Sequence, residues 1–210
     1  MTLDVWLSLF VICLLGAMSP GPSLAMVTKH TLAGGRGNGL ATSWAHALGI
    51  GFYAFITVTG LAVLLHKSEF LFVMISLAGA AYLGYLGWKS LNSRGGIAEK
   101  LKTGEAVGPL TAAKEGLMIS LLSPKIALFF IALFSQFVAV GESVSAKMVV
   151  VATPLLVDGI WYSIITFLLS SPILLERLRA RGKLIDQISG VVLILLAVRV
   201  VWQNVGYFQG

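Results

Sequence analysis

The chain is dominated by six apolar stretches, each long enough to cross a bilayer, punctuated by short clusters of charge. They lie near residues 4–28, 39–65, 69–90, 113–139, 147–170 and 185–207, and a spanning helix needs roughly 20 mostly apolar residues. Of the 210 residues, 57% are hydrophobic and 11% charged, with a mean hydropathy of +0.91. A soluble domain of that composition lacks the polar surface to cover itself, so lipid is the solvent. The expectation is one all-α integral membrane domain over 1–210, with six transmembrane helices and no separate soluble part.

The net charge of +6 suits Lys and Arg held in cytoplasmic loops better than nucleic-acid binding. Lys29 and Arg36 follow the first helix; Lys89, Arg94, Lys100, Lys102 and Lys114 surround the third connection; Arg177, Arg179, Arg181 and Lys183 fill the fifth. The second and fourth connections hold only Lys67 and Lys147. That bias puts connections one, three and five in the cytoplasm and both chain ends outside a cytoplasmic (inner) membrane. The start carries Asp4 and no basic residue, and no small-residue cleavage site follows, so the first helix is expected to stay. A single cysteine, Cys13, excludes an intramolecular disulfide, a dithiol redox pair and a multi-cysteine metal site.

Residues 92–112 form the longest polar segment and divide the chain into repeat one (about 1–91) and repeat two (about 113–210). Ser19-Pro20 answers Ser123-Pro124, Phe52-Tyr53 with Ile56-Thr57 answers Trp161-Tyr162 with Ile165-Thr166, and Gly79 with its apolar run answers Gly190 with its own. The alternative is chance agreement among apolar residues. Three helices per repeat make the halves inverted in the membrane, an arrangement common in secondary transporters.

Ser19-Pro20-Gly21-Pro22 lies well inside the first apolar run. Two prolines without N–H groups break the helical ladder and leave carbonyls without partners, which a membrane tolerates only inside protein or along a watery cavity. The break is either a packing kink or a discontinuous helix presenting backbone groups to a solute. Ser123-Pro124-Lys125 repeats the device in helix four and adds a lysine in apolar surroundings. An unpaired ammonium there costs on the order of 3 kcal/mol, so Lys125 should face the bundle interior and meet an anion or carbonyls. Asp158, in the fifth helix, is the partner the sequence offers.

Several residues have two readings. Arg199 either lifts its head to the outer surface or lines the pathway. His46 either relays protons or is simply hydrogen-bonded inside the bundle. Ala80, Gly84 and Gly87 form a smooth stripe for close helix approach, within one subunit or across a homodimer. Gly35-Arg36-Gly37-Asn38-Gly39 lacks the strand that a nucleotide loop needs and reads as a flexible cytoplasmic turn.

The pairing of Ser19-Pro20-Gly21-Pro22 with Ser123-Pro124-Lys125 resembles the signature of the lysine exporter and RhtB family of amino-acid exporters. The rest of the chain fits, from the small-residue-rich second helix to Asp158 with Trp161-Tyr162. Family members often carry Asn where this chain has Ser123. The resemblance implies export of amino acids or related small metabolites across the cytoplasmic membrane, driven by an ion gradient, usually of protons. The expected site comprises Ser19, Pro20, Gly21, Pro22, Ser123, Pro124, Lys125 and Asp158, with Asp158 or His46 carrying the proton. Tyr53, Trp161, Tyr162 and Arg199 are secondary candidates.

In that site, half-helix amino termini after Pro22 and Lys125 would meet a substrate carboxylate. Asp158 would either bind its ammonium group or take up the coupling proton. No cofactor or metal is called for. A metal-ion permease of similar topology would need more convergent oxygen or sulfur ligands than one buried aspartate and one cysteine supply. A membrane enzyme or dithiol carrier would need a nucleophile with its base, or paired cysteines.

Overall fold

The computed structural model describes residues 2–19, 21–93, 105–134, 137, 143–171, 173, 176, 177 and 180–204, the side chains of 61–67, 69 and 133 excepted. Pro20, Arg94, Lys100, Lys102 and Arg179 lie outside the described residues, as does the side chain of Lys67. Seven helices run through this part of the chain: α1 (Leu3–Met18), α2 (Pro22–Lys67), α3 (Glu69–Leu91), α4 (Pro109–Leu121), α5 (Pro124–Phe134), α6 (Val144–Leu169) and α7 (Gly182–Asn204). Near residues 69–90, 147–170 and 185–207 the apolar runs became α3, α6 and α7, each long and apolar enough to cross a membrane by itself. The first and fourth runs are broken into bent pairs, α1 with α2 and α4 with α5, the second pair by 50°.

α2 departs most from expectation. Its 46 residues would make a straight rod about 69 Å long at 1.5 Å per residue. Gly35 prevents that, because its φ of 75° and ψ of −173° leave helical space, in a region open to glycine alone without strain. The chain doubles back there. Ser23 and His46 would stand about 34 Å apart on a continuous helix, yet Ser23 Oγ and His46 Nε2 are 2.9 Å apart. Thr31 and Ser43 both reach the Thr166 hydroxyl, at 3.5 and 3.4 Å. α2 is therefore a helical hairpin with arms 22–34 and 36–67. The flexible turn expected over Gly35–Gly39 is one residue; from Arg36 onward the segment is helical. Asn38 reinforces it by donating to the Val107 carbonyl at 2.6 Å.

Close approaches are made where side chains are absent. A Cβ on Gly87 would fall 2.8 Å from the Gly190 carbonyl oxygen, and one on Gly190 would fall 2.7 Å from that of Gly87, so α3 and α7 cross backbone to backbone. The Ala80/Gly84/Gly87 stripe is thus used within the subunit; Gly79 faces Ala132 of α5 instead. In α4, Gly116 abuts the backbone of Thr42, and in α6, Gly159 lies under the ring of Trp44.

The distribution of polarity fits lipid. Phe52, Phe55, Phe70, Leu195 and Val198 are exposed, while Thr28, His30, Thr42, Ser43, His46, Ser76, Ser120 and Thr166 are almost fully buried. Lipid-facing helices must carry their polar groups inward, where partners exist. An apolar core of Leu9, Ile12, Leu83, Phe130, Phe134 and Val200 holds the bundle together around them.

Candidate solute site

The two breaks meet. α1 ends at Ser19, whose extended backbone (φ −67°, ψ 115°) turns its carbonyl out of the helix. α5 starts at Pro124, where a proline at the first position costs nothing because that N–H is unpaired in any helix. Lys125, one residue on, donates from Nζ to the Ser19 carbonyl at 3.0 Å and the Ser19 hydroxyl at 2.9 Å. The cation sits at the carboxyl end of α1, where the helix dipole is negative. Gly21 leaves room for it, since a Cβ there would come within 3.3 Å of Nζ. Of the two partners the sequence allows Lys125, an anion or carbonyls, the structure supplies the carbonyl.

Asp158 is paired elsewhere. Its Oδ2 lies 2.7 Å from Nδ1 of His46, and both side chains are buried. His46 completes the set through the Nε2 contact with Ser23, in the first turn of α2 after the break. The expected pairing of Lys125 with Asp158 is therefore corrected. The orphaned carbonyl at the end of α1 claims the ammonium, and an imidazole on the second arm of α2 claims the carboxylate. Lys125 and Asp158 nevertheless line one small cavity of about 50 Å3, together with Ser19, Gly21, Pro22, Ser23, His46 and Tyr162. Room of that size holds roughly three to five waters.

Other predicted residues divide between this site and its surroundings. Tyr162 packs edge-on against His46, ring centroids 5.3 Å apart, and its hydroxyl donates to the Ala17 carbonyl at 3.4 Å. Tyr53 donates to the Leu121 carbonyl at 2.7 Å and so satisfies the frayed end of α4 beside the second break. Ser123 caps α5, its hydroxyl accepting from the Ile126 N–H at 3.4 Å, a task that Asn performs equally well. Trp161 lines a separate apolar groove between α1 and α6, with Trp6 and Phe10. Arg199 lies on the exposed face of α7.

Sequence reasoning missed four participants. Ser23 has no signal beyond following Pro22. Pro154 lies inside α6 one turn before Asp158 and lines the same cavity; a proline there removes a backbone donor and was visible in the sequence. Glu115 of α4 binds Lys29 at 2.8 Å and His30 at 3.1 Å, tying the first arm of α2 to α4. Asp186, buried near the start of α7, accepts from the Ser93 hydroxyl at 2.5 Å. Among the described residues no three His, Cys, Asp or Glu side chains converge as metal ligands.

A bundle whose two interrupted helices meet at a partly buried lysine, with a buried acid–imidazole pair beside it, has the make-up of a membrane translocator. The profile described as LysE type translocator matches residues 14–204, and the chain belongs to that family. That makes it a transporter and not an enzyme. The chain is 28% identical to the uncharacterized membrane protein YahN of Escherichia coli K12, over 89% of this chain and 84% of the relative. It is 23% identical to the threonine efflux protein of the same strain, over 90% and 94%. It is 31% identical to the leucine efflux protein of Salmonella typhimurium LT2, over 72% and 71%. No solved structure matches it significantly.

Proposed function

We propose that the chain exports amino acids or closely related metabolites from the cytoplasm, by proton-coupled alternating access of two inverted three-helix repeats. The observation that carries this reading is that both breaks, Lys125 and the His46–Asp158 pair line one small cavity. The amino termini of α2 and α5 offer partial positive charge to a carboxylate, and Lys125 adds a full charge. Asp158 offers the opposite charge to an ammonium group, and with His46 it forms a proton-accepting pair. A zwitterion needs both poles. The threonine and leucine efflux proteins among the relatives supply the substrate class.

The hairpin in α2 supports six spans: α1 with the first arm, the second arm, α3, α4 with α5, α6 and α7. The repeats are then about 1–91 and 113–210, joined by a linker over 92–112. The contact of Lys29 with Glu115 ties connection one to the far end of connection three, and that of Ser93 with Asp186 ties the near end of connection three to connection five, which supports one shared basic end. That end is cytoplasmic by charge bias, with both termini outside. A solute entering so small a cavity must spread its lining, which rocking of the repeats about the α3–α7 crossing would do.

The test is efflux from cells loaded with a dipeptide mixture, followed by proteoliposome transport of the amino acids that emerge faster than in control cells. Gradient-driven transport should collapse in Asp158→Asn and Lys125→Ala. Undiminished transport by both variants overturns the site, and efflux of divalent metal with no amino acid overturns the substrate class.

A further inference from the structure

A second cavity, of about 580 Å3, runs from the central breaks to the end of α3 and the start of α7. Its lining runs from Gly21, Pro22, Pro124 and Lys125 to a mouth at Lys89, Ser90, Asn92, Ser93 and Asp186. Lys125 and the residues of the first break are therefore common to both cavities. One acid stands in each: Asp158 in the central one, Asp186 in the outer one.

Asp186 differs from Asp158 in how it is satisfied. It is 5% exposed, and no Lys, Arg or His nitrogen among the described residues comes within 4.0 Å of its carboxylate. One oxygen, Oδ2, accepts from Ser93 Oγ at 2.5 Å, and Ser90 Oγ donates at 2.7 Å to the backbone carbonyl of the same residue. The two serines come from the end of α3 and fix the start of α7, so hydroxyl and carbonyl contacts hold the acid in place. A buried acid that no cation among the described residues pairs, in a cavity of this size whose other charged side chains are Lys89 and Lys125, is a receptor for an ammonium group.

We propose that this vestibule is an entry site for zwitterionic amino acids, in which Asp186 takes the ammonium group while the carboxylate points inward to the Lys125 end. It rests on the amino-acid export reading and deepens it. A solute advancing from here keeps its carboxylate near Lys125 and exchanges Asp186 for Asp158. The vestibule's volume falls in the range of small-molecule sites, whereas the central cavity must open to receive the same solute.

Asn92 is exposed at the mouth and gives a direct readout. In a Cys13→Ala background, Asn92→Cys is labelled with fluorescein maleimide while L-leucine, L-threonine, 4-methylpentanoate or sodium chloride is titrated. Either amino acid should slow labelling; 4-methylpentanoate, which is leucine without its amino group, and sodium chloride should not. Adding Asp186→Asn should raise the half-protecting concentration about tenfold, and Asp186→Glu should restore most of the loss. Ser93→Ala, which keeps the acid but frees it, should give an intermediate shift and reads the same point if Asp186→Asn does not fold. Equal protection with and without the Asp186 carboxylate, equal protection by 4-methylpentanoate, protection by sodium chloride, or no protection by either amino acid overturns the entry site. The central site is scored separately: Asp158→Asn should lose transport yet keep protection at Asn92→Cys. Protection without efflux in the unmodified chain sinks export alone.

Discussion

Both ring nitrogens of His46 are engaged, Nδ1 by Asp158 and Nε2 by Ser23, so the charge on the imidazole dictates which way the Ser23 hydroxyl points. A neutral ring that donates to Asp158 must accept from Ser23; a protonated ring donates to both. Ser23 belongs to the first turn of α2, directly after the break, so a proton gained or lost at this pair is felt by the backbone next to Lys125. His46→Gln can keep a hydrogen bond to Asp158 but cannot titrate. Export should fall at least about tenfold while stability changes by less than about 1 kcal/mol, as for membrane hydrogen bonds that remain satisfied. His46→Leu also leaves a buried carboxylate without a donor, and should lose both export and roughly 1–3 kcal/mol of stability. Thermal unfolding in detergent beside proteoliposome transport separates the two; a Gln variant with full transport would show that the ring only holds Asp158 in place.

At the level of elements, the site depends on two helices stopping where they do. Pro22→Ala returns a backbone N–H to the first turn of α2 and relaxes the fixed φ that holds the break open. Transport should drop severalfold with stability unchanged or slightly raised, a combination that mere misfolding does not produce. Gly35→Ala acts on the hairpin instead: an alanine forced to φ 75° and ψ −173° costs about 1–3 kcal/mol, so the melting temperature should fall while transport per folded molecule is retained. Proline and charge made the breaks legible in the sequence, because Pro-Gly-Pro inside an apolar run has few physical outcomes. Lys125, Asp158 and His46 stood out for the same reason, as polar groups where lipid allows none without partners. Their pairing did not follow, since burial says that a charge needs a partner and not which one. The reversal near Gly35 was legible too, as a turn between the first two apolar runs; what the sequence did not show is that Arg36 to Gly39, poor helix formers for the most part, stay helical and leave the turn to Gly35 alone. Asp186 was hidden because, three residues after Lys183 and five after Arg181, an aspartate reads as solvated until α3 is seen to cover it.

For the whole molecule, the number of crossings decides on which sides the ends lie. Three helices cross alone and two bent pairs add two more, which would put the termini on opposite sides. Counting the arms of α2 separately makes six and puts them on the same side. The hydrocarbon layer is about 30 Å thick, so a single crossing by a 46-residue helix would leave more than half of it outside lipid. The apolar residues Phe52, Phe55 and Ile56, exposed on the second arm, argue against that. Thr2→Cys and Asn204→Cys in the Cys13→Ala background should both react with a membrane-impermeant maleimide in intact spheroplasts. Arg36→Cys and Lys183→Cys should react only after lysis. Labelling of Thr2→Cys and Asn204→Cys from opposite sides would reduce α2 to one span and dissolve the inverted repeat. With the repeat would go the reason why two proline breaks, about a hundred residues apart in the chain, converge on one lysine.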